Sequence, residues 1–285
     1  TSHEINKIVP LSDDTLRQML PQAAIDAHRR RALSPDHPVV RGTSANPDTY
    51  FQSREATNPW YDATGQHVID AMAAFAALTG RHYRPFDYYG HPQAERVVVV
   101  MGSAAGTCEE VIDTLLARGE KVGVLKVRLF RPFSAKYLLD ALPDSVRSVA
   151  VLDRTKEPGA LAEPLYLDVM TALAEAYSRG ERATLPRVIG GRYGLSSKEF
   201  GPDCALAVFR ELAQPQPRPR FTVGIFDDVT GLSLPLSDEI LPQRASLEAL
   251  FYGLGSDGSV SATKNNIKII GNATPLYAQG YFEIG

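Results

Sequence analysis

Cysteine is scarce in this chain. Its 285 residues contain two, Cys108 and Cys204, far apart and each without a second thiol nearby. That disfavours a disulfide scaffold, a zinc ribbon and any iron–sulfur cluster held by this chain alone. Long apolar runs are missing too. The run Val97-Val98-Val99-Val100-Met101 has strand length, and no stretch approaches the roughly 18 residues a membrane span needs. Neither sign of charge dominates: 30 basic against 33 acidic residues give a net charge of −3, with no electrostatic footprint for DNA or RNA. The first ten residues carry His3, Glu4 and Lys7 and no apolar core, so they do not read as a secretory signal. There is no Walker lysine, no Gly-x-Ser-x-Gly elbow, and no metal-spaced cluster among the six histidines. What remains is an α/β protein of a reducing compartment, placed in the cytoplasm, with no membrane and no nucleic-acid partner. No catalytic residue and no metal ligand is assigned to it.

The pattern that is present changes along the chain. Over residues 13–33, Leu16, Met19, Leu20, Ala23, Ala24 and Ala27 recur at helical spacing, with Pro21 expected to kink or divide the segment. Residues 34–60, with five prolines or glycines among them, read as a long irregular stretch that wraps a surface. A helix follows over 63–79, with Gly80 as its C-cap. Residues 81–92 read as an aromatic surface connector. From Arg96 the grammar becomes strand–helix alternation: strands at 97–101, 122–127, 148–152 and 187–189, helices at 107–118, 135–142, 161–177 and 202–212. Four such alternations predict an α/β fold with a doubly wound parallel sheet. Residues 221–226 are expected to add an edge strand and 233–245 a linker. A further α/β unit then starts near Leu247, with a strand at 250–252, a helix over 259–270 and a second strand at 275–282.

Gly253-x-Gly255-x-x-Gly258 is the one spacing with a phosphate-binding mechanism. Glycines let the backbone approach an anion, and the following helix presents free N–H groups and the positive end of its dipole. A dinucleotide reading also wants an acidic residue about twenty positions on, and Glu283 falls there. The bland alternative is a tight strand-to-helix turn. Residues 102–106 form a second small-residue turn, with Ser103 or Thr107 as cap. Cys108 lies near a helix start, where thiol pKa falls, although a buried structural cysteine fits as well. Arg154 to Glu157 and Arg192 to Lys198 follow the third and fourth strands, where open α/β sheets bind ligands. Each reads equally as a ligand contact or as a solvated loop. Arg41 and Asn46 are candidates for a cleft or an interface loop. Asp257-Gly258 with Asn265-Asn266 imitates a thiamine diphosphate–magnesium motif but is spaced too closely.

Taken together, residues 1–8, 37–59, 101–107, 127–133, 153–159, 190–198 and 251–281 resemble the pyruvate:ferredoxin/flavodoxin oxidoreductase family, collinearly and over nearly the whole chain. The resemblance implies an internal segment of a long single-chain enzyme, inactive when isolated. That enzyme decarboxylates pyruvate on thiamine diphosphate with magnesium, passes electrons through [4Fe–4S] clusters to flavodoxin or ferredoxin, transfers the acetyl group to coenzyme A, and works as a homodimer. It further implies that residues 1–89 are the tail of a first, thiamine-pyrimidine-type domain. Residues 90–246 then form a scaffold and subunit-contact domain resembling the transketolase C-terminal domain, and 247–285 the start of a coenzyme A-associated domain. The positions carried over are Gly253, Gly255, Ser256, Asp257, Gly258 and Ser259, as part of the coenzyme A site. The family's pyruvate and thiamine contacts are expected before Thr1, and its cluster cysteines and magnesium motif after Gly285. One departure stands out: after Tyr281-Phe282 the family continues toward a Tyr-Asp-Ser-Lys-Lys stretch, whereas here Glu283-Ile284-Gly285 ends the chain. The competing readings are a free nucleotide-binding module using the glycine turn, and an interaction domain self-associating near Tyr83 to Tyr89.

Overall fold

The computed structural model describes residues 4–6, 8–40, 42–239 and 247–282. The chain divides into two compact units, Arg29–Pro242 and the pair of segments Thr1–His28 and Gln243–Gly285.

The larger unit is built on four valines. Val97 to Val100 are fully buried in β3 (Arg96–Val100). Consecutive side chains of a strand point to opposite faces, so such a run needs cover on both sides. Val98 and Val100 pack with Val111, Ile112 and Leu115 of α5 (Ala104–Ala117) and with Leu206 and Phe209 of α8 (Pro202–Leu212). Val97 and Val99 pack with Leu138 of α6 (Ala135–Ala141) and with Leu165, Val169 and Leu173 of α7 (Pro164–Ser178). Each such burial contributes about 1.5–3 kcal/mol before entropy is counted. With β4 (Val122–Val127), β5 (Ser148–Asp153), β6 (Arg187–Arg192) and β7 (Arg220–Thr222), β3 forms a parallel sheet covered by helices on both faces, as the alternation predicts.

The sheet has one more strand than expected. β2 (Phe86–Gly90) pairs antiparallel with β4 and gives the order β2-β4-β3-β5-β6-β7. The segment read as a surface connector is therefore an edge strand. Phe86 is buried, and the Tyr88 hydroxyl donates to the His91 carbonyl at 2.6 Å. Tyr83 is engaged as well: the Arg128 guanidinium lies 4.6 Å from its ring centroid. Two further readings are corrected upstream. The stretch taken as irregular holds α3 (Pro47–Glu55), and α4 (Asn58–Thr79) begins before Ala63. Both helices start with proline in the first turn, where its missing N–H costs nothing. Gly80 ends α4 in the left-handed conformation, φ 72°, and Pro21 separates α1 (Asp13–Met19) from α2 (Gln22–Arg30) as expected.

In the smaller unit, β1 (Glu4–Asn6) pairs antiparallel with β8 (Gln279–Tyr281), and α9 (Ser259–Ala273) packs against both. The strand expected at 250–252 is absent; those residues are exposed coil. A strand exists only where a partner takes its N–H and C=O groups, and the partner of β8 is β1. Residues 240–246, part of the expected linker, lie outside the described residues, and so does Glu283.

Candidate functional site

Two places answer to the sequence candidates. The first is the carboxyl edge of the parallel sheet. The chain passes from β3 to β4 on one side and from β4 to β5 back across to the other, so the strand order reverses between β3 and β5. Open α/β sheets bind ligands at such a switch point. Here the polar groups at this edge are bonded to one another. Asp153, at the end of β5, is buried, and its carboxylate accepts the Leu165 amide at 2.9 Å and the Tyr166 amide at 3.1 Å. It thereby caps the first turn of α7. Burial raises its pKa above the ordinary carboxylate value, against the lowering effect of those two amides. Arg192 pairs with buried Glu163 at 2.6 Å, and Arg154 Nε donates to the Gly194 carbonyl at 2.8 Å. Tyr193 donates to the Met101 carbonyl at 3.0 Å, tying the end of β6 to the end of β3.

The two basic loops are thus brought together, as their shared edge required, but Arg154 and Arg192 hold protein rather than face a cleft. Ser196 and Ser197, in the short 3-10 turn Leu195–Ser197, have φ of 54° and 60°. Cys108 is buried at the start of α5, and burial, with Glu109 adding, pushes its thiol up to about 12. Its complete burial among apolar side chains favours the structural-cysteine alternative over the activated thiol. Cys204 is likewise buried and pushed up to about 11. Asn46 is the exposed N-cap residue of α3, and Arg41 lies outside the described residues. Sequence reasoning passed over Asp153 and Glu163. The signals were a lone carboxylate closing a run of buried apolar residues and an acid directly before the proline that opens a helix.

The second place is the glycine turn. Gly255 (φ 58°) and Gly258 (φ 87°) hold left-handed conformations, and Gly258 is the N-cap residue of α9. A Cβ on Gly253 would sit 2.0 Å from the Ser259 hydroxyl and 2.8 Å from the Asp257 carboxylate, so a side chain there would force the turn's own side chains to move. Asp257 organises the turn. Its carboxylate accepts the Leu254 amide at 2.8 Å and the Ser259 amide at 2.9 Å, and these bonds hold its pKa below the ordinary value, the Ser259 amide foremost. All six candidate residues therefore converge on one turn at one helix start. The fit to a phosphate is partial. Asp257 already takes two amides and the Ser259 hydroxyl and places a negative charge there, which leaves the first-turn amides of Val260 and Ser261 and the hydroxyl of Ser256. Lys264, one turn further on, lies 5.2 Å from the Phe282 ring centroid. Among the described residues no strand precedes the turn, so the strand–turn–helix context of a dinucleotide site is not met there.

Comparison with known proteins adds the rest. Residues 1–73 match the family described as pyruvate flavodoxin/ferredoxin oxidoreductase, thiamine diphosphate-binding, and residues 94–194 the family described as pyruvate:ferredoxin oxidoreductase core domain II. A probable pyruvate-flavodoxin oxidoreductase of Escherichia coli is 79% identical over 282 residues, covering 99% of this chain and 24% of the relative. A pyruvate-flavodoxin oxidoreductase of Rhodospirillum rubrum is 58% identical over 285 residues, with the same 99% and 24% coverage. A pyruvate:ferredoxin oxidoreductase of Moorella thermoacetica is 54% identical over 283 residues, again covering 99% and 24%. The chain spans about a quarter of the length of these curated relatives. Among the described residues, no helix is long and apolar enough to cross a membrane.

Proposed function

Since the chain belongs to the pyruvate:ferredoxin/flavodoxin oxidoreductase family, we propose that it is a segment of an enzyme that oxidatively decarboxylates pyruvate to acetyl-CoA and reduces flavodoxin or ferredoxin. The supporting observation is the 79% identity to a probable pyruvate-flavodoxin oxidoreductase across 99% of the chain. In this reading residues 1–89 close a thiamine-pyrimidine-type domain, 90–246 are a scaffold like the transketolase C-terminal domain, and 247–285 open a coenzyme A-associated domain. The working enzyme is a cytoplasmic homodimer. Thiamine diphosphate supplies carbanion stabilisation and the [4Fe–4S] clusters carry electrons, on residues outside 1–285.

The part this segment plays is positional. Its carboxyl-edge groups are spent on locking the sheet: Asp153 on α7, Arg192 on Glu163, Tyr193 on Met101. Such cross-ties suit a rigid platform better than a reacting site. Coenzyme A is assigned to Gly253, Gly255, Ser256, Asp257, Gly258 and Ser259. Support for that comes from the exposed turn at the start of the 15-residue helix α9, with open space around Gly255 and Gly258. Asp257 keeps the turn in shape through the Leu254 and Ser259 amides and the Ser259 hydroxyl, and the remaining amides with the Ser256 hydroxyl bind.

The experiment has two arms. The isolated 285-residue chain is expected to show no pyruvate-dependent dye reduction, and measurable turnover would refute the reading. In the full-length enzyme, Gly255→Val forces a β-branched residue into the left-handed region. It is expected to weaken coenzyme A binding, measured by calorimetry, at least tenfold while pyruvate decarboxylation persists. Equal loss of both would make the turn purely structural.

A further inference from the structure

The loop that follows β7 is built more firmly than a connection requires. One carboxylate, Asp227, accepts the amides of Val229 at 3.1 Å, Thr230 at 3.0 Å and Leu232 at 3.1 Å, and also the Thr230 hydroxyl. The Ser233 hydroxyl accepts the Asp227 amide and donates to the Ile225 carbonyl, each at 2.8 Å. At its base the loop is tied to β7 twice: the Thr222 amide donates to the Leu232 carbonyl at 2.9 Å, and the Leu234 amide to the Thr222 carbonyl at 2.8 Å. Yet the side chains this scaffold holds out are apolar and in water. Phe226 is 86% exposed and Val229 89% exposed. A single exposed apolar residue is ordinary. A pair held on a loop already stripped of its conformational freedom has the form of a preorganised anchor, whose docking loses little further entropy.

We infer that Phe226 and Val229 dock into an apolar pocket on another part of the same polypeptide, outside residues 1–285. The inference rests on the reading of the chain as a segment of a longer enzyme. The length of chain outside residues 1–285 supports that occupant, and a second copy is the alternative that the test separates from it. The curated relatives are about four times as long as this chain, so ample surface lies within one polypeptide. The anchor is small: one Phe and one Val bury on the order of 300 Å², against the roughly 800 Å² per partner of a stable free-standing interface, so it acts alongside other contacts. A contact of that size holds when a covalent tether supplies a high effective concentration. The Asp227 oxygens are occupied by the loop itself, so the charge left at the tip is Asp228, and a basic group at the pocket's rim would complement it.

The test uses the full-length polypeptide that carries this segment, with p-benzoylphenylalanine in place of Phe226, irradiated and mapped by mass spectrometry. The expected product is an intrachain cross-link to a residue outside 1–285, with no doubling of mass. Combining it with Asp227→Asn, which removes acceptor capacity from the loop, is expected to lower the cross-link yield several-fold. An unchanged yield would overturn the role given to preorganisation. Pyruvate-dependent acceptor reduction is measured on the same preparation. With activity present, no cross-link, or one only to a second copy, overturns the docking inference and leaves the wider reading standing. With activity absent from the unsubstituted full-length chain, the wider reading falls and takes this inference with it.

Discussion

Asp153 shows how one side chain can be both a cost and a support. It is only 3% exposed, so ionising it in the fold is opposed by burial, yet the ionised form best accepts the Leu165 and Tyr166 amides at the start of α7. Removing it by Asp153→Ala strips the cap and leaves two buried amides without an acceptor. The expected destabilisation is about 2–3 kcal/mol, read as a lower urea midpoint with an unchanged slope. The pH dependence follows from the direction of the shift. The folded state holds this proton more tightly than the unfolded chain, whose carboxyl titrates near 3.8. Between that value and the raised folded one, this residue therefore makes stability fall as pH rises. Asp153→Ala is expected to remove that part of the slope. A variant as stable as the parent at every pH would mean that water replaces the carboxylate.

At the scale of elements, what could be read in advance depended on how much of an element's pattern its own residues carry. β3 was legible because a strand buried on both faces is a continuous β-branched run. β2 was not, since an edge strand with Asp87 and exposed Tyr89 reads locally like a connector. α3 has no buried residue and hence no apolar stripe to find. The reading at 250–252 failed for the opposite reason: Leu250-Phe251-Tyr252 has strand-like composition and no partner. The glycine turn and its helix were evident from spacing, whereas the hold of Asp257 on two amides depends on geometry that spacing does not encode. Two glycines make the element-level contrast testable. In β6, a Cβ on Gly191 would lie 2.4 Å from ring carbons of Phe221 and 2.6 Å from a Leu152 methyl. Gly191→Ala is therefore expected to destabilise by about 1–3 kcal/mol through overpacking. In the first turn of α5, a Cβ on Gly106 meets nothing within 4 Å, and Gly106→Ala is expected to stabilise by about 0.5–1 kcal/mol. Thermal melts of the two variants should shift in opposite directions. Stabilisation at both sites would show that backbone entropy outweighs packing at Gly191, and destabilisation at both would refute the open space assigned to Gly106.

On the scale of the whole chain, the least legible feature is a contact between its ends. Glu4, Ile5 and Asn6 face Tyr281, Gly280 and Gln279 across an antiparallel ladder. Three residues carry too little periodicity to announce a strand, and nothing local connects two segments so distant in sequence. A two-stranded ladder is marginal in water and needs an apolar cover; α9 provides one, with buried Ile267, while Phe282 is buried beside β8. Closing so long a loop for so few hydrogen bonds is entropically expensive, so the pairing should be among the first structure to open. The consequence is measurable by hydrogen exchange. Deleting residues 1–6 leaves the backbone of β8 without its partner, and exchange at Gln279–Tyr281 is expected to rise at least tenfold, with the amides of β3 and β5 as the reference. Were those three amides to stay protected at the parent level after the deletion, β1 would be an incidental neighbour, and the order in β8 would have to come from α9 alone.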